Sequence, residues 1–330
     1  MKHIFLFVAF IICLNPLYAQ LSHFSYHIKN RTIVSNGDHK LTKMVIVMPL
    51  AQTNQYQTVS NVDLHGGEVI KVPETEDIYI RWTLTRDLPP PSQSMEIYYD
   101  FDVTMNRIQF DFNRVTTIYP YDRNSEIYRL YTGKRGPFID PENPFIMETG
   151  NRLWENSSDI LDYARKCYEY VAMNFKYLNP LTGLHPLPIL LTNGGGDCGN
   201  LSSIFISLLR YKSIPSRHIV TVRPDGTYHV WADFFLENYG WIPVDVTYKN
   251  SDPYGDYFGK FDGNGIVMTR EVCLPIDKGN GEVYTSSILQ NYNWWIWYEG
   301  GSKINLTHKL TATQQQFASG NQTHEDLSDK

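Results

Sequence analysis

The sequence predicts an α+β protein, with an N-terminal antiparallel β-sandwich followed by a unit in which a helix packs on an antiparallel sheet. Between His23 and about Val115, apolar and polar residues alternate with a period of two, and no helical period interrupts them. From Ser157 onward, apolar residues first repeat every three or four positions and then alternate again. A chain of 330 residues is long enough for two domains.

The first residues resemble a secretory signal. Residues 1–19 combine a cationic start at Lys2, an apolar run from Ile4 to Leu14 and a small residue at Ala19. The run is shorter than the roughly 20 residues that span a bilayer, and no other stretch could cross one. We therefore expect export to the periplasm or the cell exterior, without stable membrane insertion.

Charge and histidine spacing argue against nucleic-acid binding and against a metal site in the first strand. The formal net charge is −6 and no long basic run occurs, so a nucleic acid is not an expected partner. His23 and His27 would lie about 13 Å apart along one strand, too far to share a metal ion. No cofactor is implied.

The predicted sandwich covers residues 20–118. Clear alternating runs are Lys43–Met48 and Ile78–Leu84, and turn residues such as Asn36-Gly37 separate such runs. Residues 119–156, rich in proline, glycine and tyrosine, are interpreted as a connector.

The predicted second domain covers residues 157–310. Ser157 or Ser158 is expected to cap its first helix, with Asp159 in the first turn, and residues 177–193, which contain three prolines, are expected to form a loop. The later strands are predicted at 217–222, 228–236, 241–248 and 293–298. Residues 311–330 are interpreted as a polar tail, disordered from Gln314 onward.

Cys198 is the candidate nucleophile. Three glycines and Asp197 precede it, and apolar residues at helical spacing follow, so the thiol is expected in the first turn of a helix capped by Asp197 or Gly196. Free N–H groups at a helix start favour the thiolate, and the Cys198 N–H could stabilise an oxyanion. A buried structural cysteine is the alternative.

His229 and Asp245 are the candidate partners of this thiol. His229 lies inside a predicted strand, and Asp245 lies in an apolar segment where an unpaired carboxylate would be costly. A bond to the distal ring nitrogen of His229 would satisfy it. We therefore predict Cys198 as nucleophile, His229 as general base and then acid, and Asp245 as the group that fixes the imidazole tautomer.

The mature chain would keep Cys167, Cys198 and Cys273, an odd number, so at least one thiol stays free or pairs between molecules. Cys198 is the best candidate for the free thiol. A disulfide between Cys167 and Cys273 is left open, and the alternative is that both are small buried hydrophobic residues.

Several segments together resemble the core of the transglutaminase-like superfamily. They are GDCGNLSS at 196–203, IPSR at 214–217, HVWAD at 229–233 and GWIPVDVT at 240–247. The resemblance covers roughly residues 150–270 and implies a papain-like fold. The predicted sandwich is similar to the β-domains that often precede such cores in exported bacterial proteins.

The resemblance implies a thiol-dependent hydrolase or acyltransferase acting on protein or peptide amides, with the triad roles on Cys198, His229 and Asp245. Cell-wall or dietary peptides are candidate substrates, and hydrolysis and transamidation stay open. Tyr177 or Asn193 is the candidate side-chain partner in the oxyanion hole. Trp231 and Asn200 are candidate substrate-binding residues. No acidic loop with calcium-binding spacing is present.

Two other functions remain open at this point. A binding module with a dormant triad could dock peptide or glycan through the aromatic residues Trp294, Trp295 and Trp297. A metal site formed by the three triad residues would lack a fourth ligand.

Overall fold

A computed structural model describes residues 23–179, 183–300 and 304–315. The architecture is α+β with antiparallel sheets, as predicted. The signal peptide predicted at 1–19 lies outside the described residues. Within the described ranges, no helix is both long and apolar enough to traverse a bilayer.

The strands of the first half are β1 His23–Ser35, β2 Lys40–Pro49, β3 Gln57–Asp63, β4 Glu68–Lys71, β5 Ile78–Leu84, β6 Ser94–Asn106, β7 Ile108–Gln109, β8 Lys176–Tyr177 and β9 Gly195–Gly196. Those of the second half are β10 Ser216–Val222, β11 Tyr228–Leu236, β12 Gly240–Val244, β13 Lys260–Phe261, β14 Ile266–Thr269, β15 Leu274–Asp277, β16 Val283–Ser286, β17 Asn293–Glu299 and β18 Asn305–Gln314. The helices are α1 Glu126–Tyr131, α2 Pro144–Glu155, α3 Ile160–Asn174, α4 Leu187–Asn193, α5 Cys198–Tyr211 and α6 Val246–Ser251, with a 3₁₀ turn at Phe112–Arg114.

The predicted sandwich is present as two four-stranded sheets, ordered β18-β1-β6-β3 and β17-β2-β5-β4. All pairings within them are antiparallel. Alternate residues of both sheets, among them Ile28 and Phe101 from one and Ile46 and Trp82 from the other, pack into a shared core. The period of two in the sequence follows from this one-sided burial.

The end of the described chain returns to the sandwich. The predicted strand at 293–298 is confirmed as β17, which pairs with β2, and β18 pairs with β1 over ten residues. Residues 311–314, expected at the start of a polar tail, are therefore part of a strand, because one face of β18 packs on the sandwich through Leu310. Residues 316–330 lie outside the described ranges, and the domain boundaries stay predictions.

The second half contains the predicted helix on an antiparallel sheet. Its sheet is ordered β12-β11-β10-β14, and α5 packs against β10 and β11. Helices α2 and α3 cover the other side of α5. Almost every residue of α5 is buried, which explains why its sequence is apolar around most of its circumference.

The predicted connector and the predicted proline-rich loop both contain helices, contrary to expectation. Helix α1 is capped by Ser125, and α2 by Asn143 with Pro144 at its first position. Helix α4 occupies Leu187–Asn193 and has Pro188 near its start. Proline in the first helical turn loses no hydrogen bond, so these prolines mark helix starts and not loops.

Two predicted boundaries are also wrong. Helix α3 is capped by Asp159, whose carboxylate accepts from the Asp162 N–H, and not by Ser157 or Ser158. The strand predicted at 241–248 ends at Val244, because Asp245 accepts hydrogen bonds from the Thr247 and Tyr248 N–H groups and starts α6.

Candidate active site

Cys198 is the first residue of α5 and is half-buried. Asp197 caps the helix, with its Oδ1 accepting from the Asn200 N–H at 3.1 Å. As the first helical residue, Cys198 has an N–H without an intrahelical acceptor. The thiol therefore lies beside its own N–H group at the positive end of the helix dipole.

The glycines before Cys198 permit a close backbone contact. Gly195 and Gly196 form β9, which pairs in parallel with β8, Lys176–Tyr177. A Cβ on Gly195, whose φ is +156°, would lie 2.0 Å from the Lys176 carbonyl oxygen. Only glycine fits there, so this position brings Tyr177 alongside the helix start.

His229 and Asp245 form a buried pair. The His229 Nε2 lies 2.6 Å from Asp245 Oδ2. Asp245 Oδ1 accepts from the N–H groups of Thr247 at 3.0 Å and Tyr248 at 2.9 Å. One carboxylate thus caps α6 and holds the imidazole ring, which fixes both its position and its orientation.

Besides Asp245, the His229 side chain has a hydrogen bond with the Cys198 thiol. Because Asp245 contacts Nε2, the ring nitrogen available to the thiol is Nδ1. Burial alone would lower the pKa of His229. The charge and hydrogen bond of Asp245, together with those of Cys198, outweigh burial and raise this pKa to about 10. The site therefore favours an imidazolium beside a sulfur atom at neutral pH.

Other residues that hold His229 were not identified from the sequence. The Tyr248 ring stacks on the imidazole, with centroids 4.9 Å apart and planes inclined by 19°. The His229 carbonyl accepts from Thr221 Oγ1 at 2.9 Å and Gln290 Nε2 at 3.2 Å. Tyr248, three residues after Asp245, could have been found had the helix start been recognised. Gln290 is distant in sequence and gives no such signal.

His218 contacts the first turn of α5 from strand β10, and it was not identified from the sequence either. It is fully buried in β10, with Nε2 3.2 Å from the Gly199 carbonyl and 3.1 Å from Ser203 Oγ. Burial lowers its pKa to about 4, so the ring is neutral. Its position supports the backbone that carries Cys198.

Tyr177 lies near Cys198, and its phenol is the group it could offer to an oxyanion. Its backbone N–H already donates to Asn250 Oδ1 at 3.2 Å. Burial, and then the charges of Cys198 and Asp197, raise the pKa of its phenol, which keeps the hydroxyl protonated. Asn193, the other candidate, is an exposed residue at the end of α4.

The two candidate substrate-binding residues have different surroundings. Trp231 lines a cleft together with His229. Asn200 is fully buried, and its side-chain amide bonds to the Gly183 carbonyl and the His185 N–H. Its observed contacts anchor the loop before α4, and its role in substrate binding stays a prediction.

A cleft of about 450 Å³ opens beside the His229–Asp245 pair. Aromatic residues form much of its wall, and its far side is the two-stranded ribbon of β7 and β13. Because β7 directly follows the sandwich strand β6, both halves of the molecule line this cleft.

The three cysteines of the described ranges are free thiols, so the disulfide between Cys167 and Cys273 that the sequence left open is not formed. In the same ranges, no cluster of three or more histidine, cysteine, aspartate or glutamate residues has a geometry suited to a metal ion.

Comparison with known proteins identifies one domain within the chain. Residues 148–246 match the family model described as the transglutaminase-like superfamily. The chain contains a transglutaminase-like domain. Residues 148–246 include Cys198, His229 and Asp245. In a separate comparison, no curated protein matches the chain.

Solved structures similar to the chain include the following three, of which the first supports its α+β fold. A provisionally assigned cysteine protease from Cytophaga hutchinsonii superposes with a TM-score of 0.59 at 13% identity, covering 91% of this chain and 94% of that one. The periplasmic domain of TgpA from Pseudomonas aeruginosa matches 68% of this chain and 90% of its own at 14% identity, with a TM-score of 0.36. Red sea bream transglutaminase matches at 13% identity over 69% of this chain and 49% of its own, with a TM-score of 0.30.

Proposed function

We propose that the transglutaminase-like domain is a thiol-dependent amide hydrolase or acyltransferase acting on protein or peptide substrates, with Cys198, His229 and Asp245 as its catalytic triad. The observation that carries the proposal is the chain of contacts from the half-buried Cys198 thiol through the His229 ring to Asp245. Family membership supports a thiol enzyme of this kind.

In the proposed reaction, the Cys198 thiolate attacks the carbonyl carbon of an amide, and the oxygen becomes an oxyanion that the Cys198 N–H stabilises. The imidazolium of His229 protonates the amide nitrogen as the carbon–nitrogen bond breaks, and a thioester remains. His229 then removes a proton from water or an amine, which attacks the thioester; the carbon–sulfur bond breaks, and the Cys198 thiolate is regenerated beside the imidazolium. Asp245 stabilises the imidazolium throughout.

Water as the second nucleophile gives hydrolysis, and an amine gives transfer. Both share the thioester, so the triad alone is compatible with either. We further propose, from the features of residues 1–19, that the enzyme is exported and acts in the periplasm or outside the cell.

The test measures peptide cleavage, ammonia release and amine incorporation in parallel, with wild type, Cys198→Ala and Cys273→Ala. We expect Cys198→Ala to lose activity by at least about a thousandfold, because no other group replaces the nucleophile. The control Cys273→Ala removes another half-buried thiol and should retain activity.

Alkylation by iodoacetamide separates the enzyme from a dormant binding module. We expect Cys198 to react much faster in the native protein than after unfolding, because the helix start and His229 favour the thiolate. Equal rates in the two states, together with no activity on any of the three readouts, would refute the proposal.

A further inference from the structure

The ribbon that closes the cleft presents two different faces. Lys260 pairs with Gln109 and Phe261 with Ile108 across β7 and β13. Ile108 and Phe261 are buried and pack with Trp231, whereas the residues that alternate with them are exposed. The exposed face therefore offers polar side chains to the cleft that contains His229.

Two of these side chains are cations without a carboxylate partner. In the described part of the chain, no hydrogen bond or ion pair involves the exposed Lys260 ammonium group. The Arg107 Nε donates to the Asp262 backbone carbonyl at 2.9 Å, which orients the guanidinium but leaves its charge unneutralised by any carboxylate contact among the described residues.

The carboxylates that line the cleft are mostly committed elsewhere. Asp245 pairs with His229, and Asp256 with Arg165 at 2.7 Å. Asp262 accepts from Asn264 Nδ2 at 2.9 Å, and no cation of the described residues forms an ion pair with its carboxylate. Asp262 can offset at most one of the two ribbon cations, so at least one positive charge remains beside the aromatic wall.

We infer that the β7–β13 ribbon is the specificity wall of the cleft, and that Arg107 and Lys260 bind a carboxylate of the peptide substrate. The preferred acyl donor would then carry an acidic side chain or a free C-terminal carboxylate close to the reacting amide, with apolar groups against Trp231 and Tyr248. This inference rests on the proposed function for the identity of the ligand as a peptide, and it concerns which peptides bind.

Unpaired cations in this cleft are informative because the protein as a whole is acidic, with a formal net charge of −6. The overall field repels anions, so attraction of an acidic peptide would have to arise locally at the ribbon. Charge-assisted hydrogen bonds from arginine and lysine to a carboxylate are among the stronger polar contacts, and a partly enclosed cleft screens them less than an open surface does.

The experiment compares peptides of one length that contain glutamate, glutamine or lysine at each position in turn, each made with a free or an amidated C-terminus. Binding is measured by calorimetry to Cys198→Ala, which cannot turn over, and kcat/KM is measured with the wild type. The ribbon variants are Lys260→Gln and Lys260→Glu. The matched control is Lys71→Gln, which removes an exposed strand lysine at the end of β4.

We expect at least one glutamate position, or the free C-terminus, to be favoured about fivefold to tenfold over its neutral counterpart, and the preference to weaken with added salt. Lys260→Gln should reduce this preference, Lys260→Glu should reverse it toward lysine, and Lys71→Gln should leave it unchanged. Whether the interior or the terminal series shows the effect identifies the source of the carboxylate.

The two proposals fail in different ways. Activity without any preference for acidic peptides, or a preference that Lys260→Glu leaves intact, would overturn the specificity inference alone. Preferential binding of acidic peptides to Cys198→Ala, with an inactive wild type, would support the ribbon and refute the proposed catalysis. Absence of binding to every peptide would also overturn the inference.

Discussion

At the scale of single residues, Asp245 serves two purposes through different oxygen atoms. Its Oδ1 caps α6 by accepting from two backbone N–H groups, and its Oδ2 holds His229. The helix start therefore fixes the carboxylate before any substrate arrives. A carboxylate that is already fixed costs no reorganisation when charge develops on the imidazole, which is the basis of electrostatic preorganisation.

Asp245→Asn separates these two purposes. The amide oxygen can still accept from Thr247 and Tyr248, so folding should be largely preserved, but the charge beside His229 is lost. Burial then dominates, and the pKa of His229 should fall from about 10 to below its ordinary value. We expect kcat/KM to drop by roughly a hundredfold to ten-thousandfold.

Titration of the His229 ring by NMR and the pH profile of iodoacetamide alkylation measure this change. In the wild type, a raised pKa stabilises the folded state below about pH 6.5, and this contribution is lost as pH rises toward about 10. Asp245→Asn should not lose stability in this pH range through His229. The alkaline limb of its iodoacetamide alkylation profile should move to lower pH. An unchanged His229 titration would contradict the assigned role of Asp245.

At the scale of elements, the glycine-rich turn before α5 decides where the thiol lies. Gly194 and Gly195 both have positive φ, at +69° and +156°, but an added Cβ would meet another part of the chain at Gly195 and not at Gly194. The contact with Lys176 joins the end of α3 to the start of α5. The position of Tyr177 relative to Cys198 thus depends on a residue without a side chain.

Gly195→Ala tests that dependence, and Gly194→Ala is its matched control. An added Cβ at Gly195 would meet backbone atoms that cannot move aside, so β8 and β9 should separate, with a loss of more than about 2 kcal/mol in stability and a marked fall in kcat. At Gly194 nothing lies within 4 Å of the added Cβ, and only a strain of about 1 kcal/mol is expected.

Urea unfolding and kcat measurements on both variants check this expectation. Gly194→Ala measures the cost of a left-handed backbone without a close contact, so a further loss in Gly195→Ala reflects the contact with Lys176 together with the less favourable φ at that position. Equal effects at the two positions would show that the approach to Lys176 does not determine the geometry of the turn.

The sequence predicted those features that are encoded by residues close together in the chain. Neighbouring residues were sufficient to predict the sandwich strands and α5 with its Asp197 cap. They also indicated the candidate residues Cys198, His229 and Asp245 in that order. The start of α6 was missed because the apolar neighbours of Asp245 led to its assignment to a strand. Aspartate is also one of the residues preferred at a helix N-cap. Gln290 and His218 could not be found, since their roles depend on tertiary contacts.

At the scale of the whole molecule, the two halves are joined by an ionic cluster centred on the buried Arg217. Arg217 on β10 contacts Asp233 Oδ2 at 3.3 Å and Glu76 Oε2, from the β4–β5 turn of the sandwich, at 2.7 Å. Its guanidinium lies 3.8 Å from the centre of the Trp241 ring. Tyr56 of the sandwich donates its hydroxyl to Asp233. The sheet that carries His229 thus contacts the sandwich through the buried Arg217 and Asp233, whereas the Glu76 carboxylate on the sandwich side is exposed.

Removing one cation from this cluster should be costly. Arg217→Met leaves the fully buried Asp233 carboxylate without its counterion, for which we expect a loss of about 3–5 kcal/mol in unfolding free energy. Arg81→Met is the control, because its partners Glu68 and Asp277 reach solvent, and it should cost about 1 kcal/mol or less.

The pH dependence of this loss identifies its cause. Burial already raises the pKa of Asp233, with Arg217 opposing it, so loss of Arg217 should raise this pKa further. A group with a raised carboxyl pKa binds a proton more readily in the folded state, and the variant should therefore recover stability relative to wild type as pH falls. Adding Asp233→Asn to Arg217→Met removes the unpaired charge and should restore part of the loss at neutral pH. A double variant whose loss equals the sum of the two single losses, with no pH dependence, would mean that packing and not the buried charge pair accounts for the loss in Arg217→Met.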